Sequence, residues 1–350
     1  MSSRWITSLL VAPWVAGAAC GEDDAEHETE PDADADHETE PDHETEVETE
    51  PDHEVVPGCP TTIIQVAEGT EVVPLTRLHL VGSQSAGDPT IARWTWGVAQ
   101  PSGATSVFLP TATTPDPTFE VNVVGRYTFT LDVVDLEGDA ACVPAEAVVD
   151  AVPADPLHIE LVWSTPGDAD PIDDGPEAGA DLDLHVLHPL AVGGGDVDGD
   201  GEADGWFDLT YDTFWFNDAP NAGGPRAPMP VLRRDDGDGA GPEVVTHAAP
   251  EALCYRVGVH SWDDHGFGPS EATVRIYLGG ALALESTATL RMLDMWSVAR
   301  VCFPDAGAPP RVEPVTVCAD TLAPCASAAD CGGASCGSKI VPDYHQTFLP

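Results

Sequence analysis

From about residue 58 onward, apolar and polar residues alternate in short runs punctuated by Gly, Pro and Asp, and no long stretch repeats with a helical period. Tyr127, Phe129, Leu131 and Val133 alternate with Thr128, Thr130 and Asp132, which gives one apolar and one wet face. Leu78 and Leu80, then Trp94 and Trp96, keep the same period of two. A further apolar run, Ile159-Glu160-Leu161-Val162-Trp163, opens a second region of this kind. The pattern predicts an all-β protein with two tandem β-sandwiches, over 58–154 and 155–305, followed by a Pro- and Cys-rich tail over 306–350.

The first 57 residues are of another kind. Arg4 precedes an apolar stretch, Trp5 to Ala19, of the size of a secretory leader; with Pro13 inside it, the stretch is too short for a comfortable membrane span. It ends Ala16-Gly17-Ala18-Ala19-Cys20, which resembles the lipobox of bacterial lipoproteins, with Gly17 where that motif usually carries Leu. The resemblance implies a signal peptide over 1–19, lipidation of Cys20 and an extracytoplasmic, membrane-anchored location. Gly21 after the cysteine implies the outer membrane or cell surface. Residues 20–57 then form a stalk in which His-Glu-Thr-Glu-Pro-Asp recurs, with 18 acids and no base between 21 and 54. Such a composition buries too little apolar surface to offset ordering entropy, so disorder is expected. His27, His37, His43 and His53 carry metal-binding chemistry but no fixed geometry, and a spacer is the preferred reading.

Acidity extends beyond the stalk. The whole chain has 61 acids against 13 Lys and Arg, a net charge of −48, and its single lysine is Lys339. Nucleic acid and anionic lipid surfaces both require a basic face, so neither is an expected partner. Calcium ligation and adaptation to high salt are the two physical causes that suit this surplus. The chain has 9 cysteines. Setting Cys20 aside leaves an even set, Cys59, Cys142, Cys254, Cys302, Cys318, Cys325, Cys331 and Cys336, which in an exported protein predicts disulfides. Pairing is expected within three groups: Cys59 with Cys142, Cys254 with Cys302, and two bonds of open connectivity in the tail. Zinc is the competing reading there, but Cys-x-x-Cys pairs are missing.

Leu78-x-Leu80-x-Gly82-Ser83-x-Ser85, then Arg93-Trp94-Thr95-Trp96, then Gly125-x-Tyr127-x-Phe129-x-Leu131 resemble the PKD family of immunoglobulin-like domains. The resemblance implies a central strand for the two tryptophans and a corner role for Tyr127. The Gly-Asp-Gly that commonly follows the Trp strand is absent, which marks a divergent branch. In the second region, Asp181-x-Asp183-Leu184-His185-x-x-x-Pro189 and Gly239-x-Gly241-Pro242-Glu243 resemble an uncharacterised exported β-sandwich family. That resemblance implies a fold and an ion site but no reaction.

The clearest candidate chemistry is Asp196-Val-Asp198-Gly-Asp200-Gly201-Glu202-Ala-Asp204. Carboxylates at loop positions 1, 3, 5 and 9 with Gly at 6 resemble EF-hand-like and thrombospondin-type-3-like calcium loops, with Glu202 offering its carbonyl. Position 12 is Phe207, so Asp208 or a water is expected to close the shell. A second candidate calcium cluster comprises Asp181, Asp183, Asp235, Asp236, Asp238 and Glu243, whose like charges repel unless a cation screens them. His185 and His188 stand on opposite faces of a strand, which argues against a joint zinc pair. His260, Asp263, Asp264 and His265 are placed in a hairpin turn.

No nucleophile elbow, zincin helix, phosphate loop or dinucleotide fingerprint occurs. The sequence therefore predicts a non-enzymatic, calcium-stabilised envelope lipoprotein for adhesion, ligand binding or envelope organisation, with a protein or glycan as partner. Two alternatives remain. One is a carbohydrate-binding accessory module using some of Trp206, Phe207, Tyr211, Phe214, Trp215 and Phe216, most of which are expected in the core. The other is a metal-dependent hydrolase built on the His260–His265 turn.

Overall fold

Strands provide all of the regular secondary structure among the described residues of the computed structural model, which are 58–87, 90–172, 178–199, 201, 203–220, 229–237, 239–305 and 307–345. The leader, Cys20 and the acidic repeats lie outside them, as do Asp200, Glu202 and Asp238. The fold is all-β, and the described residues belong to one compact unit.

The first sandwich uses β1 (Gln65–Val66), β2 (Glu71–Val72), β3 (Thr76–Val81), β4 (Ile91–Ala99), β5 (Thr118–Val121), β6 (Gly125–Asp135) and β7 (Ala145–Ala151). Three strands in the order β1-β3-β5 face four in the order β2-β7-β6-β4. The alternation in β6 buries Tyr127, Phe129, Leu131 and Val133 against Leu78, Leu80 and Phe119. Tyr127 closes the corner between β5 and β6. Its hydroxyl accepts from the Val123 amide at 3.1 Å and donates to the Val123 carbonyl at 3.0 Å. The tryptophan strand β4 is an edge strand, not a central one. An exposed edge invites pairing with another chain. Here the 100–117 segment meets it: the Trp96 amide donates to the Ala112 carbonyl and the Trp96 indole to the Thr114 carbonyl, while the Trp94 indole donates to the Gly82 carbonyl after β3.

The second sandwich uses β8 (Leu157–Ser164), β9 (Asp181–Leu187), β10 (Asp212–Thr213), β11 (Val231–Arg234), β12 (Glu243–His247), β13 (Cys254–Asp263), β14 (Ser270–Leu278), β15 (Ala281–Leu290) and β16 (Met295–Cys302). Beyond them come β17 (Arg311–Pro314), β18 (Thr316–Cys318) and β19 (Cys336–Val341). One sheet runs β11-β12-β8-β14-β15; the other runs β10-β9-β13-β16-β19-β18, with β17 also paired to β16. The tail therefore does not stand apart: β17 and β19 cover the edge that β16 would otherwise leave open. Its cysteines form Cys318–Cys331 and Cys325–Cys336, while Cys59–Cys142 and Cys254–Cys302 bond within the two sandwiches. The sulfur atoms are thus committed to disulfides rather than to zinc.

β8 is buried on both faces, which explains its nearly continuous apolar run. Leu157, Ile159, Leu161 and Trp163 enter the core between the sheets. His158, Glu160 and Val162 point the other way and meet the first sandwich. Glu160 Oε1 accepts from the Val124 amide at 2.7 Å and bonds His158 Nε2 at 3.0 Å. Beside it, Arg275 Nη1 donates to the Ser102 carbonyl, and Arg234 pairs with Glu120 at 2.6 Å. A charged residue inside an apolar strand thus becomes a cap on the neighbouring domain's backbone.

Tyr127→Phe should leave the buried Val123 amide without its side-chain acceptor and lower unfolding stability by about 1–3 kcal/mol. Denaturant titration followed by tryptophan fluorescence measures this, and an unchanged midpoint would show that the corner bond contributes nothing.

Candidate metal centre

Three acidic side chains from three strand ends converge where β9 has no strand on its outer side. β10 pairs only with Val186 and Leu187, so residues 181–185 present an unpaired edge there. Leu182, Leu184 and Val186 face the core, while His185 and Leu187 face a second, smaller cluster outside the sheet. Glu243, the first residue of β12, reaches across and accepts from the Leu184 amide at 2.5 Å. The residues before Glu243 make this reach possible. Gly241 has φ +82°, and a Cβ there would lie 2.8 Å from the Leu161 carbonyl and 2.9 Å from the Trp163 ring. Only glycine fits that approach.

Asp183, Asp235 and Glu243 each place an oxygen within 4.8 Å of the other two. Asp183 and Glu243 are buried at 2% and 0% exposure, while Asp235 is exposed. Asp183 Oδ2 and Glu243 Oε1 have no hydrogen-bond partner. A buried carboxylate oxygen without a donor is costly, and either a proton or a hard cation would supply what is missing. The set of carboxylate oxygens fits calcium, which takes 6–8 oxygen ligands. Without an ion, burial and then the Asp183 charge raise the Glu243 carboxyl well above its ordinary value. Burial foremost, then Asp183 and Asp235, push neighbouring Asp181 up to about 8, and Asp183 itself rises to about 7. Asp236 adds to the negative field on Asp181.

The Asp196–Asp208 segment is organised differently. Asp196 Oδ2 accepts from the Gly201 amide, and Asp198 pairs with Lys339 of β19. Asp204 Oδ2 accepts from the Val197 amide at 2.9 Å and from the Tyr344 hydroxyl at 3.1 Å. Asp208 turns away to accept from the Val192, Thr210 and Tyr211 amides. Among the described residues these four carboxylates do not gather into a ligand group, and two of them hold the C-terminal tail instead. The lone lysine thus has a local partner that the loop spacing gave no means of foreseeing.

The histidines of this face serve the framework. His185 Nδ1 bonds Asp212 Oδ2 at 2.7 Å, and the same oxygen accepts from the Phe207 amide. The His185 ring stacks on Phe214 at 5.0 Å. His188 Nδ1 accepts from the Leu190 amide. His260 belongs to β13 rather than to the following turn; it is fully buried, and its Nε2 bonds the Tyr344 carbonyl at 2.8 Å. Burial lowers the His260 imidazole to about 4. His265 does lie in the turn, but its Nδ1 bonds the Gly179 carbonyl, and the Asp263 and Asp264 side chains cap the amides of His265 and Gly266. His260 Nδ1 lies 3.8 Å from Asp183 Oδ2 and has no hydrogen-bond partner, whereas His265 serves the turn, so the two histidines do not converge on one point. Trp206, Phe207 and Phe214 are buried, whereas Trp215 and Phe216 are exposed.

Sequence reasoning missed Asp212, which has no local motif, and Glu160, whose charge within an apolar strand was the available signal. No family model matches this chain, and no curated protein matches it.

The raised carboxyls have a definite linkage sign. In the folded state they hold protons that the unfolded chain has already lost, so stability falls as pH rises through their folded values. Above about pH 7 most histidines are neutral in both states, including buried His260 and His247, which leaves the acids dominant. In chelator, the thermal midpoint should therefore drop between pH 7 and 8, the window set by Asp183 at about 7 and Asp181 at about 8. A midpoint that rises across this window would contradict the assigned repulsion.

Proposed function

We propose that this chain is a non-catalytic lipoprotein of the bacterial cell envelope. A lipid on Cys20 tethers it outside the cytoplasm, and its acidic stalk spaces it from the membrane. It presents a PKD-like, immunoglobulin-like domain and a larger calcium-stabilised sandwich for adhesion, ligand binding or envelope organisation. The observation that carries the calcium reading is the convergence of Asp183, Asp235 and Glu243 with two buried oxygens that lack donors. The Tyr127 corner and the three-on-four sheet arrangement support an immunoglobulin-like first domain. The Ala18-Ala19-Cys20 junction and the four disulfides support export.

One observation favours a second reading, that of a carbohydrate-binding module. Trp215 and Phe216 are 39% and 56% exposed, with ring centroids 5.3 Å apart, and exposed aromatic faces suit sugar stacking. A glycan array on which Trp215→Ala binds as the wild type does would remove this reading.

Calcium at about 100 times its dissociation constant should stabilise the fold by about 2.7 kcal/mol, a rise of roughly 5–10 °C in thermal midpoint over chelator. Glu243→Gln should abolish that rise and, because Gln keeps an oxygen for the Leu184 amide and is uncharged like the protonated carboxyl, should not lower the midpoint in chelator. Equal midpoints for the wild type with calcium and with chelator would overturn the calcium role. The anchor has its own test: Cys20→Ala should move the protein from the detergent phase to the aqueous phase in phase partitioning. Retention in the detergent phase would reject lipidation at that residue.

A further inference from the structure

An open sheet ends in edge strands whose outward amides and carbonyls pair readily with another chain, and folded proteins cover or blunt them. Most edges here are closed in one of these ways. β4 meets the 100–117 segment, the Leu184 amide on the open side of β9 has Glu243, and β16 carries β17 and β19. β11 is four residues long, with a register shift and two arginines. β18 is three residues long, and its Val317 bridges to Pro324. β15 differs from all of these. It runs ten residues, Ala281–Leu290, at the end of the sheet β11-β12-β8-β14-β15, and it pairs only with β14. Among the described residues, no backbone group of 281–290 bonds anything on its other side.

The sequence of β15 does little to guard that edge. A register shift at Ala283 bends its start, which leaves Leu284–Leu290 as a regular strand. Residues 281–290 hold no proline, glycine or lysine and a single charge, Glu285. That charge is answered within the sheet, because Arg275 Nε donates to Glu285 Oε2 at 2.8 Å. Leu284 and Ala288 turn toward the core, while Glu285, Thr287 and Thr289 are exposed on the other face. A strand added here therefore extends an apolar row on one face and meets short hydroxyl side chains on the other.

The partner that this edge fits is extended and nearly neutral, and a second β15 has both properties. The chain carries 61 acids against 13 Lys and Arg, so two copies approach most readily where like charges are sparse. Antiparallel pairing of one strand with its own copy is isologous, so the contact closes at two chains and leaves neither edge open. With the two-fold axis at Ser286, Glu285 stands opposite the partner's Thr287, and the two Glu285 carboxylates stay apart. We propose that β15 is a homodimer interface, at which two copies pair their β15 strands antiparallel and join their five-stranded sheets into one continuous sheet. This goes beyond the envelope role and depends on neither the cation nor the lipid. Both partners being acidic, salt should strengthen the contact, since the screening length falls from about 30 Å at 0.01 M to about 10 Å at 0.1 M.

Sedimentation velocity of the full chain in density-matched detergent tests it. A monomer–dimer equilibrium is expected on the order of micromolar, tightening by at least about threefold between those two salt concentrations. Thr287→Asp combined with Thr289→Asp sets further acids against the partner strand and should weaken the dimer by about tenfold or more. Amide exchange read by mass spectrometry locates the contact without any variant: peptides covering 281–290 should exchange more slowly as protein concentration rises, and those covering β4 should not. A monomer at every concentration and salt, slowing elsewhere but not over 281–290, a dimer unchanged by the double variant or weakened by salt, or growth beyond two copies would each overturn the proposal. So would a monomer whose 281–290 amides slow only when an unrelated Thr-Val repeat peptide is added, which would give the edge to a foreign strand.

Discussion

The bond from the Leu184 amide to the Glu243 carboxylate joins the two sheets of the larger sandwich at the point where backbone pairing stops. β9 lacks an outer neighbour over residues 181–185, and an unpaired amide buried at that edge would cost free energy comparable to a lost hydrogen bond. A side-chain acceptor satisfies it. That choice brings a second carboxylate beside Asp183 and leaves two buried oxygens without donors. Closing the edge and creating the acidic cluster are therefore one structural event, and the cluster's electrostatics follow from the way the fold is completed.

Burial on both faces gives β8 the corresponding role between domains. Its inward side chains build the core, and its outward Glu160 caps the Val124 amide of the first sandwich. With the Arg275 bond to Ser102 and the Arg234–Glu120 pair, this fixes the walls of a cleft between the two sandwiches into which Asp235 opens. Arg234, which ends β11 and pairs with Glu120, is followed directly by Asp235 of the acidic cluster.

The carboxylates divide by what stands near them. Asp204 and Asp208 receive backbone amides, and Asp204 also accepts from Tyr344, so their charges are answered within the protein. Asp183 and Glu243 are more deeply buried yet less completely answered. Among the described residues, the more deeply buried acids are thus the ones whose oxygens meet fewer donors.

Much of the fold was legible in the residues themselves. Period-two alternation in β6 and the apolar run of β8 specify strands through side-chain direction alone, and even cysteine groups in separate regions limit the pairings that short loops allow. The Asp181–Asp183 and Glu243 motifs also pointed to one cluster. Tertiary structure decided the rest. It placed the tryptophan strand at an edge, merged the tail into the second sheet, put His260 inside a strand and turned Asp198 toward Lys339. The physical reason is range: alternation and turn chemistry act between neighbours along the chain. The partner of a buried charge or an open sheet edge is chosen by whichever distant segment packs there.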